Sequence, residues 1–211
     1  MGRVYLVRHG RTEWNTLRVF RGHADVDLDD GGRAQARRTA KALSDVAPAC
    51  VYTSPLSRSR HTAEILAKAH RLVARVDAAF TDIDYGTWTG RTEAAVRKEF
   101  PRLTEQWRTA PHTVRFPDGE SLDQVRRRAV TRLRELVRQR EDGDIILVSH
   151  RVVLKMLLCE ARGWDNARFW DVRVDPCGVC TLETDGRHFE LITENDTRHL
   201  KPLGSANPDD F

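Results

Sequence analysis

The sequence predicts an α/β fold, a three-layer sandwich in which a mostly parallel sheet lies between layers of helices. Short apolar runs at residues 4–7, 50–53 and 145–148 alternate with segments whose apolar residues recur every three or four positions. That alternation indicates parallel strands connected by helices. Two extended stretches late in the chain predict some antiparallel pairing. At 211 residues the chain has the length of one domain, taken as 1–211.

The first strand is predicted at 4–7, where an apolar run ends at the polar turn 8–10. A helix is predicted over 31–46, because three apolar residues spaced by four and three positions would lie on one helical face. These residues are Ala36, Ala40 and Leu43.

The second strand is predicted at 50–53, and a helix follows it directly. Ser54 and Pro55 have the character of a helix N-cap and of the first helical position, so this helix is predicted to run from there to residue 69. Beyond it, residues 80–85 form an extended segment.

A long helix is predicted to begin at Ser121, because Ser121 and Gln124 have the spacing of a capping box. Seven arginines lie mostly outside its apolar stripe. Aromatic residues are not interleaved with them and acidic residues dilute them, so this face is interpreted as solvent-exposed, with nucleic-acid binding as the alternative. The arginines are Arg126, Arg127, Arg128, Arg132, Arg134, Arg138 and Arg140.

The last elements are a strand at 145–148, which ends at the polar residues 149–151, and a helix from there to residue 161. Two late strands are predicted at 177–184 and 188–193. A strand, a helix and two more strands complete the predicted order.

The composition is that of a globular protein with a modest positive charge. Charged residues make up 31% of the chain, the formal net charge is +4, and the sequence pI is about 9.1. This excludes an acidic disordered protein and does not by itself indicate nucleic-acid binding. The 30 arginines against 5 lysines suit bidentate capture of phosphate, although a coding bias would produce the same excess.

The expected location is the cytoplasm, without a membrane partner. No apolar run reaches 18 residues, and the first residues lead into a strand rather than a signal peptide.

The four cysteines are expected to be reduced structural thiols, as is usual for a chain of this size. Cys177 and Cys180 have C-x-x-C spacing, which leaves a redox or metal role as the alternative. A zinc site needs four ligands, and Cys50 and Cys159 do not form a second close pair. Neither a metal nor another cofactor is therefore expected.

Polar side chains cluster where the predicted strands end. Because the carboxyl ends of parallel strands open at one edge of a sheet, we expect them to converge. Arginine forks bind phosphate, a neutral imidazole is a nucleophile, and a carboxylic acid can protonate a leaving group. Motifs of P-loop proteins, α/β-hydrolases and zinc proteases are absent. The converging residues are Arg8, His9, Arg58, Asp82 and His150.

Five segments, in order along the chain, are similar to the motifs of one protein family. LVRHGRTEWN at 6–15 resembles L-x-R-H-G-x-T-x-x-N, and SPLSRSRHTA at 54–63 resembles S-x-L-x-R-x-x-x-T-A. DIDYGTWTG at 82–90 resembles E-x-x-x-G-x-W-x-G, PDGES at 117–121 resembles P-x-G-E-S, and VSH at 148–150 resembles V-S-H. These are the motifs of the histidine phosphatase superfamily, the phosphoglycerate-mutase-like proteins, and the resemblance implies their sandwich fold.

The resemblance also implies catalytic roles at the matching positions. His9 would be the nucleophile that accepts the phosphoryl group. Arg8, Arg58 and a cationic His150 would bind the equatorial phosphate oxygens, and Asp82 would be the general acid. The reaction would need no metal.

Further residues are expected to bind substrate, and two positions depart from the family pattern. Asn15 would line or brace the pocket, and Arg21 and Gly22 would contribute to it. Asp82 stands where Glu is commonest, so its carboxyl reaches one methylene less far. Arg151 stands where Gly is usual, and it would either contact a second anion or point outward.

The leading functional interpretation is a metal-independent phosphomonoesterase acting on small phosphorylated metabolites, as a monomer or homodimer. A phosphoglycerate mutase or sugar-bisphosphatase of the same superfamily is the alternative, and a non-catalytic arginine-rich binding protein is a third. Gly90 leads into an ordinary amphipathic helix over 91–100 without an additional segment, which favours a phosphatase over a mutase. Four residues are expected either to line the rim of the pocket or to serve in packing. They are Trp107, Arg108, His112 and Arg115.

Overall fold

The computed structural model describes residues 2–139 and 143–203. These residues form a six-stranded sheet with helices around it. The strands are β1 (Gly2–Arg8), β2 (Pro48–Thr53), β3 (Ala74–Val76), β4 (Asp144–Ser149), β5 (Val179–Thr184) and β6 (Phe189–Asp196). Their order across the sheet is β3-β2-β4-β1-β5-β6. The first four in that order are parallel, and β5 and β6 pair antiparallel, as the sequence predicts.

Seven α-helices lie among the described residues. They are α1 (Glu13–Thr16), α2 (Asp30–Ala42), α3 (Ser57–Ala69), α4 (Glu93–Glu99), α5 (Pro101–Thr109), α6 (Leu122–Gln139) and α7 (Arg151–Ala161). Short 3₁₀ segments occur at Ala78–Phe80, Gly86–Trp88, Pro111–Thr113, Asn166–Asp171 and Arg198–Leu203.

Both faces of the sheet are covered, which confirms the three-layer prediction. Successive side chains of a strand point to opposite faces. In β1, Val4 and Leu6 belong to a core that includes α6 and α7 residues, whereas Tyr5 and Val7 pack with α2 and α3 residues. Helices therefore form a layer on each side of the sheet.

One predicted helix start is wrong. The helix α3 begins at Ser57, and its N-cap is Leu56, which makes no side-chain capping bond. The hydroxyl of Ser54 contacts His150 instead, so this serine belongs to the strand-end cluster. Sequence pattern alone could not distinguish the two uses, because both place a serine directly after a strand.

Several boundaries differ from the predictions, and three elements were not predicted, namely α1, β3 and α5. α2 ends at Ala42 rather than 46, and the late strands begin at Val179 and Phe189. Strand β3 has only three residues, and its pairing to β2 is what makes it a strand. Helix α5 also lacks a clear sequence pattern, since Trp107 is its one buried residue.

The capping box of α6 is present, since Ser121 N–H donates to Gln124 Oε1 at 2.9 Å. Its arginines are not simply a solvated face, however. Arg126 binds Glu160 of α7, and Arg128 binds Glu120. Similar ion pairs hold Arg132 to Asp77 and Arg134 to Glu160, whereas Arg127 and Arg138 are exposed and Arg140 lies outside the described residues.

All four cysteines are buried, and none of them forms a disulfide. Burial raises the pKa of Cys177 and of Cys180 to about 12, so both thiols stay protonated near neutral pH. Burial and protonation favour the structural interpretation of the C-x-x-C pair. Separately, none of the helices in the described ranges is long and apolar enough to cross a membrane.

Candidate active site

The predicted strand-end residues meet at one edge of the sheet. β4 lies between β2 and β1, so the residues following these three strands are neighbours. His9 follows β1, His150 follows β4, and Ser54 follows β2. His9 N–H donates to the Ser149 carbonyl at 2.9 Å, and the His9 and His150 ring centroids are 5.2 Å apart.

The buried imidazole of His9 is held in one tautomer. Its Nδ1 lies 2.7 Å from the Gly10 carbonyl oxygen, which can only accept, so Nδ1 carries the proton and Nε2 keeps its lone pair. Burial, together with the Arg58 and Arg8 charges, holds the pKa of His9 well below its usual range. The ring is therefore neutral and nucleophilic at Nε2.

The turn after His9 is closely packed. A Cβ at Gly10 would lie 2.5 Å from the Gly32 carbonyl oxygen, so only glycine fits there. The Gly10 N–H donates to Thr62 Oγ1 at 3.1 Å. Asn15 braces the same turn, because its Oδ1 accepts from both the N–H and the hydroxyl of Thr12 at 2.9 Å.

Arg58 is fully buried at the start of α3. It donates to the Ala24 carbonyl at 2.8 Å and to the Gly22 carbonyl at 2.8 Å, and its Nη2 lies 3.2 Å from Asp82 Oδ2. Gly22 has a φ of +47°, in the left-handed region that favours glycine. The structure therefore places Gly22 against the guanidinium of Arg58 through its backbone carbonyl.

Two more arginines surround His9. Arg8 is buried and donates to the Val174 carbonyl at 2.9 Å. Arg21 lines a narrow cleft with His9 and Asp82, and its charge contributes to the lowered pKa of His9. Three guanidinium groups thus set up a strongly positive environment around one neutral imidazole.

The carboxyl of Asp82 faces this group. Its Oδ1 accepts from the Ile83 N–H at 3.0 Å, and its Oδ2 lies 3.7 Å from His150 Nδ1 in addition to its contact with Arg58. The shorter side chain of Asp therefore does reach the cluster.

An arginine that the sequence assigns to a solvated face binds the backbone of the segment that carries Asp82. Arg128 of α6 donates to the carbonyls of Ala79, Thr81 and Asp82 at 2.8, 2.7 and 3.0 Å, while it also binds Glu120. In the sequence, the one indication of this role of Arg128 is its partner Glu120, which belongs to the PDGES segment at 117–121.

His150 caps the N-terminal end of α7 and is completely buried. Its Nε2 lies 2.6 Å from Ser54 Oγ. Burial, then the nearby Arg58 charge and His9, hold the pKa of His150 well below its usual range. The ring is therefore neutral in the ligand-free site, and the expectation of a cationic His150 beside a bound phosphate stays a prediction.

Arg151 points inward, so the outward orientation is wrong. It is 8% exposed, and its Cζ lies 5.8 Å from the Trp170 ring centroid. It lines both the narrow cleft above His9, of about 10 Å³, and an adjoining cavity of about 570 Å³. Trp107 and Arg108 line that larger cavity, whereas the rest of the suggested rim, His112 and Arg115, lies outside its lining.

Metal ligands do not cluster in the described ranges: no group of three or more His, Cys, Asp or Glu residues there could hold a metal ion. The side chains that are present instead combine a neutral nucleophilic nitrogen, several guanidinium groups and one carboxyl. Guanidinium groups neutralise phosphate oxygens, and phosphoryl transfer depends mainly on positioning and on such charge stabilisation.

Comparison with known proteins gives the same assignment. A family model described as the histidine phosphatase superfamily (branch 1) matches residues 4–197. Phosphoserine phosphatase 1 of Hydrogenobacter thermophilus is 32% identical over 200 residues, which cover 95% of each chain. Phosphoglycerate mutase-like protein 4 of Arabidopsis thaliana is 34% identical over 204 residues, covering 95% of this chain and 88% of the relative.

A solved structure shares the complete architecture. Bacillus stearothermophilus YhfR has a TM-score of 0.91 and 31% sequence identity, over 95% of this chain and 100% of its own. The order of the motifs, the strand-end cluster and the family match agree, and the chain therefore belongs to the histidine phosphatase superfamily, branch 1, and is a phosphatase.

Proposed function

We propose that this protein is a metal-independent phosphomonoesterase that hydrolyses small phosphorylated metabolites through a phosphohistidine on His9. The observation that carries the proposal is the buried, neutral imidazole whose Nε2 keeps a lone pair amid the charges of Arg8, Arg58 and Arg21. Such a nitrogen can attack phosphorus while the guanidinium groups stabilise the charge on the phosphate oxygens.

In the first step, the phosphate of the substrate binds to Arg8, Arg58 and His150. His9 Nε2 forms a bond to phosphorus as the bond from phosphorus to the ester oxygen breaks. Asp82 gives its proton to the departing alkoxide, which leaves as the alcohol. In the second step, a water molecule attacks the phosphohistidine, Asp82 takes a proton from that water, and inorganic phosphate and neutral His9 result.

His150 responds to the bound phosphate in this scheme. A dianion beside the ring favours the imidazolium form and so opposes the effect of burial. Ser54 accepts from the Leu56 N–H at 3.3 Å, and its hydroxyl can donate to Nε2 of the neutral His150 ring or accept from the Nε2–H of the imidazolium. That arrangement turns His150 Nδ1–H toward Asp82 and the phosphate position. Ser54 is a positioning residue for His150.

Hydrolysis is favoured over mutase activity. After Gly90 the chain enters α4 within three residues and continues directly into α5. The bacterial relative named phosphoserine phosphatase supports a phosphatase, and the plant relative named mutase-like supports the alternative. Incubation with 3-phosphoglycerate and a bisphosphoglycerate primer distinguishes them, because efficient formation of 2-phosphoglycerate would establish the mutase alternative.

Four buried cysteines without a disulfide also fit a cytoplasmic location, which we propose on that basis.

The experiment that tests the mechanism is the replacement His9→Ala with brief exposure to labelled substrate. The wild-type protein is expected to trap an acid-labile, base-stable phosphoenzyme, and the variant to trap none and to lose turnover while remaining folded. Substantial activity in the folded His9→Ala variant would exclude the phosphohistidine mechanism.

A further inference from the structure

The larger cavity beside the His9 cleft carries an excess of positive charge. Seven basic and three acidic residues line its wall. Each of the three acids is paired with a base of the same wall, and the excess of four basic residues gives the cavity a net positive charge. These ion pairs are Arg18–Glu93 at 3.0 Å, Arg108–Glu105 at 2.7 Å and Arg173–Asp175 at 3.1 Å.

Two bases of this wall come from α7, whose residues 151–159 are all buried. Arg151 and Lys155 are the charged residues of that stretch and are four positions apart, so they lie on the same face of the helix. The helical rise places Lys155 about 6 Å farther along α7 than Arg151. Because Arg151 also lines the His9 cleft, the two bases lead from the reacting phosphate into the larger cavity.

Both bases lie close to aromatic rings, and Trp170 is near both of them. Lys155 Nζ lies 4.4 Å from the Phe169 ring centroid and 4.9 Å from that of Trp170, and it donates to the Phe169 carbonyl at 3.2 Å. The ring of Trp170 is itself fixed, because its Nε1 donates to the Trp107 carbonyl at 2.9 Å. A flat group entering the cavity would therefore meet rigid rings next to two positive charges.

We propose that Arg151 and Lys155 form a second anion site, which selects phosphomonoesters that carry another negative group on the side of the larger cavity. This inference rests on the proposed phosphatase function and adds the class of substrate. A carboxylate or a second phosphate would bind to the α7 bases, and the body of the substrate would lie against Trp107 and Trp170. The cavity of about 570 Å³ has room for a ring between the reacting phosphate and the second anionic group of the substrate.

Four aryl phosphates test the proposal with the wild-type protein. 4-Carboxyphenyl phosphate and 1,4-phenylene bisphosphate carry the second anion, 4-carbamoylphenyl phosphate is the neutral match, and p-nitrophenyl phosphate reports the chemistry alone. We expect kcat/KM for at least one of the two compounds with a second anion to exceed that for 4-carbamoylphenyl phosphate about tenfold or more. The difference should come mainly from a lower KM. The carbamoyl compound has the better leaving group, so chemistry alone would favour it over the carboxylate.

The variant Lys155→Met removes the charge at similar length and is expected to reduce this preference about tenfold, whereas Lys155→Arg retains it. Arg127→Met, which removes an exposed arginine on α6 outside the cavity, should show the wild-type preference.

The outcomes separate the two proposals. If p-nitrophenyl phosphate and all other probes resist hydrolysis, the proposed function fails. If they are hydrolysed and the wild type treats anionic and carbamoyl compounds alike, the second anion site alone is refuted, whatever the variants do. A preference for only the carboxylate or only the bisphosphate identifies which anion the site accepts.

Discussion

Replacing Asp82 by Asn is the sharpest test of the proposed general acid. The amide is nearly the same size but cannot deliver the proton that an alkoxide leaving group requires. In the structure Oδ1 accepts from the Ile83 N–H and Oδ2 lies 3.2 Å from Arg58. An amide has a single acceptor oxygen, so it can keep one of these two contacts and must lose the other.

Two effects on activity follow, and they can be separated. The lost contact to Arg58 or Ile83 disturbs the site by the same factor for every substrate. The lost proton slows only substrates whose leaving group needs it, by about 10²- to 10⁴-fold. We therefore expect Asp82→Asn to reduce kcat/KM for glycerol 3-phosphate about a hundredfold or more beyond its effect on p-nitrophenyl phosphate, which releases a stable anion.

The assay is kcat/KM for both substrates at one pH, with Asp84→Asn as the matched control. Asp84 accepts from the Gly86 N–H at 2.8 Å and lies 3.8 Å from His23 Nδ1, so it serves the local turn. Its replacement should affect both substrates equally. If Asp82→Asn also slows both equally, Asp82 is a binding or structural residue. A selective loss in the Asp84 variant, or in Glu120→Gln, would then identify the acid.

Three further outcomes are expected. Exhaustive chelation should leave the rate nearly unchanged, and loss of activity restored by Mg²⁺ or Zn²⁺ would contradict the metal-independent mechanism. Ser54→Ala removes the 2.6 Å contact to His150 and should lower kcat/KM about three- to tenfold, whereas Ser59→Ala, which loses a buried bond to the Val148 carbonyl, should lower stability with little effect on rate. The pKa values of His9 and His150 are lowered in the folded protein, so the unfolded chain binds more protons below about pH 6.5. The free energy of unfolding should therefore fall with decreasing pH, by up to about 1.4 kcal/mol per pH unit for each histidine. Denaturant titrations at pH 5.5 and 7.5 measure that slope, and His9→Gln should reduce it; an unchanged slope would show that His9 is not kept neutral.

Local sequence patterns predict the layered fold and five residues of the strand-end cluster, namely Arg8, His9, Arg58, Asp82 and His150. Apolar runs and helical spacing are local patterns, so they indicate β1, β2, β4 and the helices α2, α3 and α6 without any knowledge of packing. The ends of parallel strands share one edge of a sheet, and this topological rule was sufficient to bring His9 and His150 together. The three-residue strand β3 was not predicted, because its pairing to β2 defines it as a strand and no local pattern records that pairing.

Tertiary structure decided the properties that depend on surroundings. Complete burial beside Arg58 sets the neutral state of His150, and no local pattern records how deeply a strand end is buried. The inward direction of Arg151 depends on Trp170, which comes from a segment 19 positions later in the chain. In the sequence, Arg128 is one of several arginines predicted on the exposed face of α6. In the structure it bonds to the backbone of residues 79–82, because α6 packs against that segment. The charge of His150, the orientation of Arg151 and the contacts of Arg128 all depend on segments that are distant in the chain. Local sequence patterns do not record such contacts.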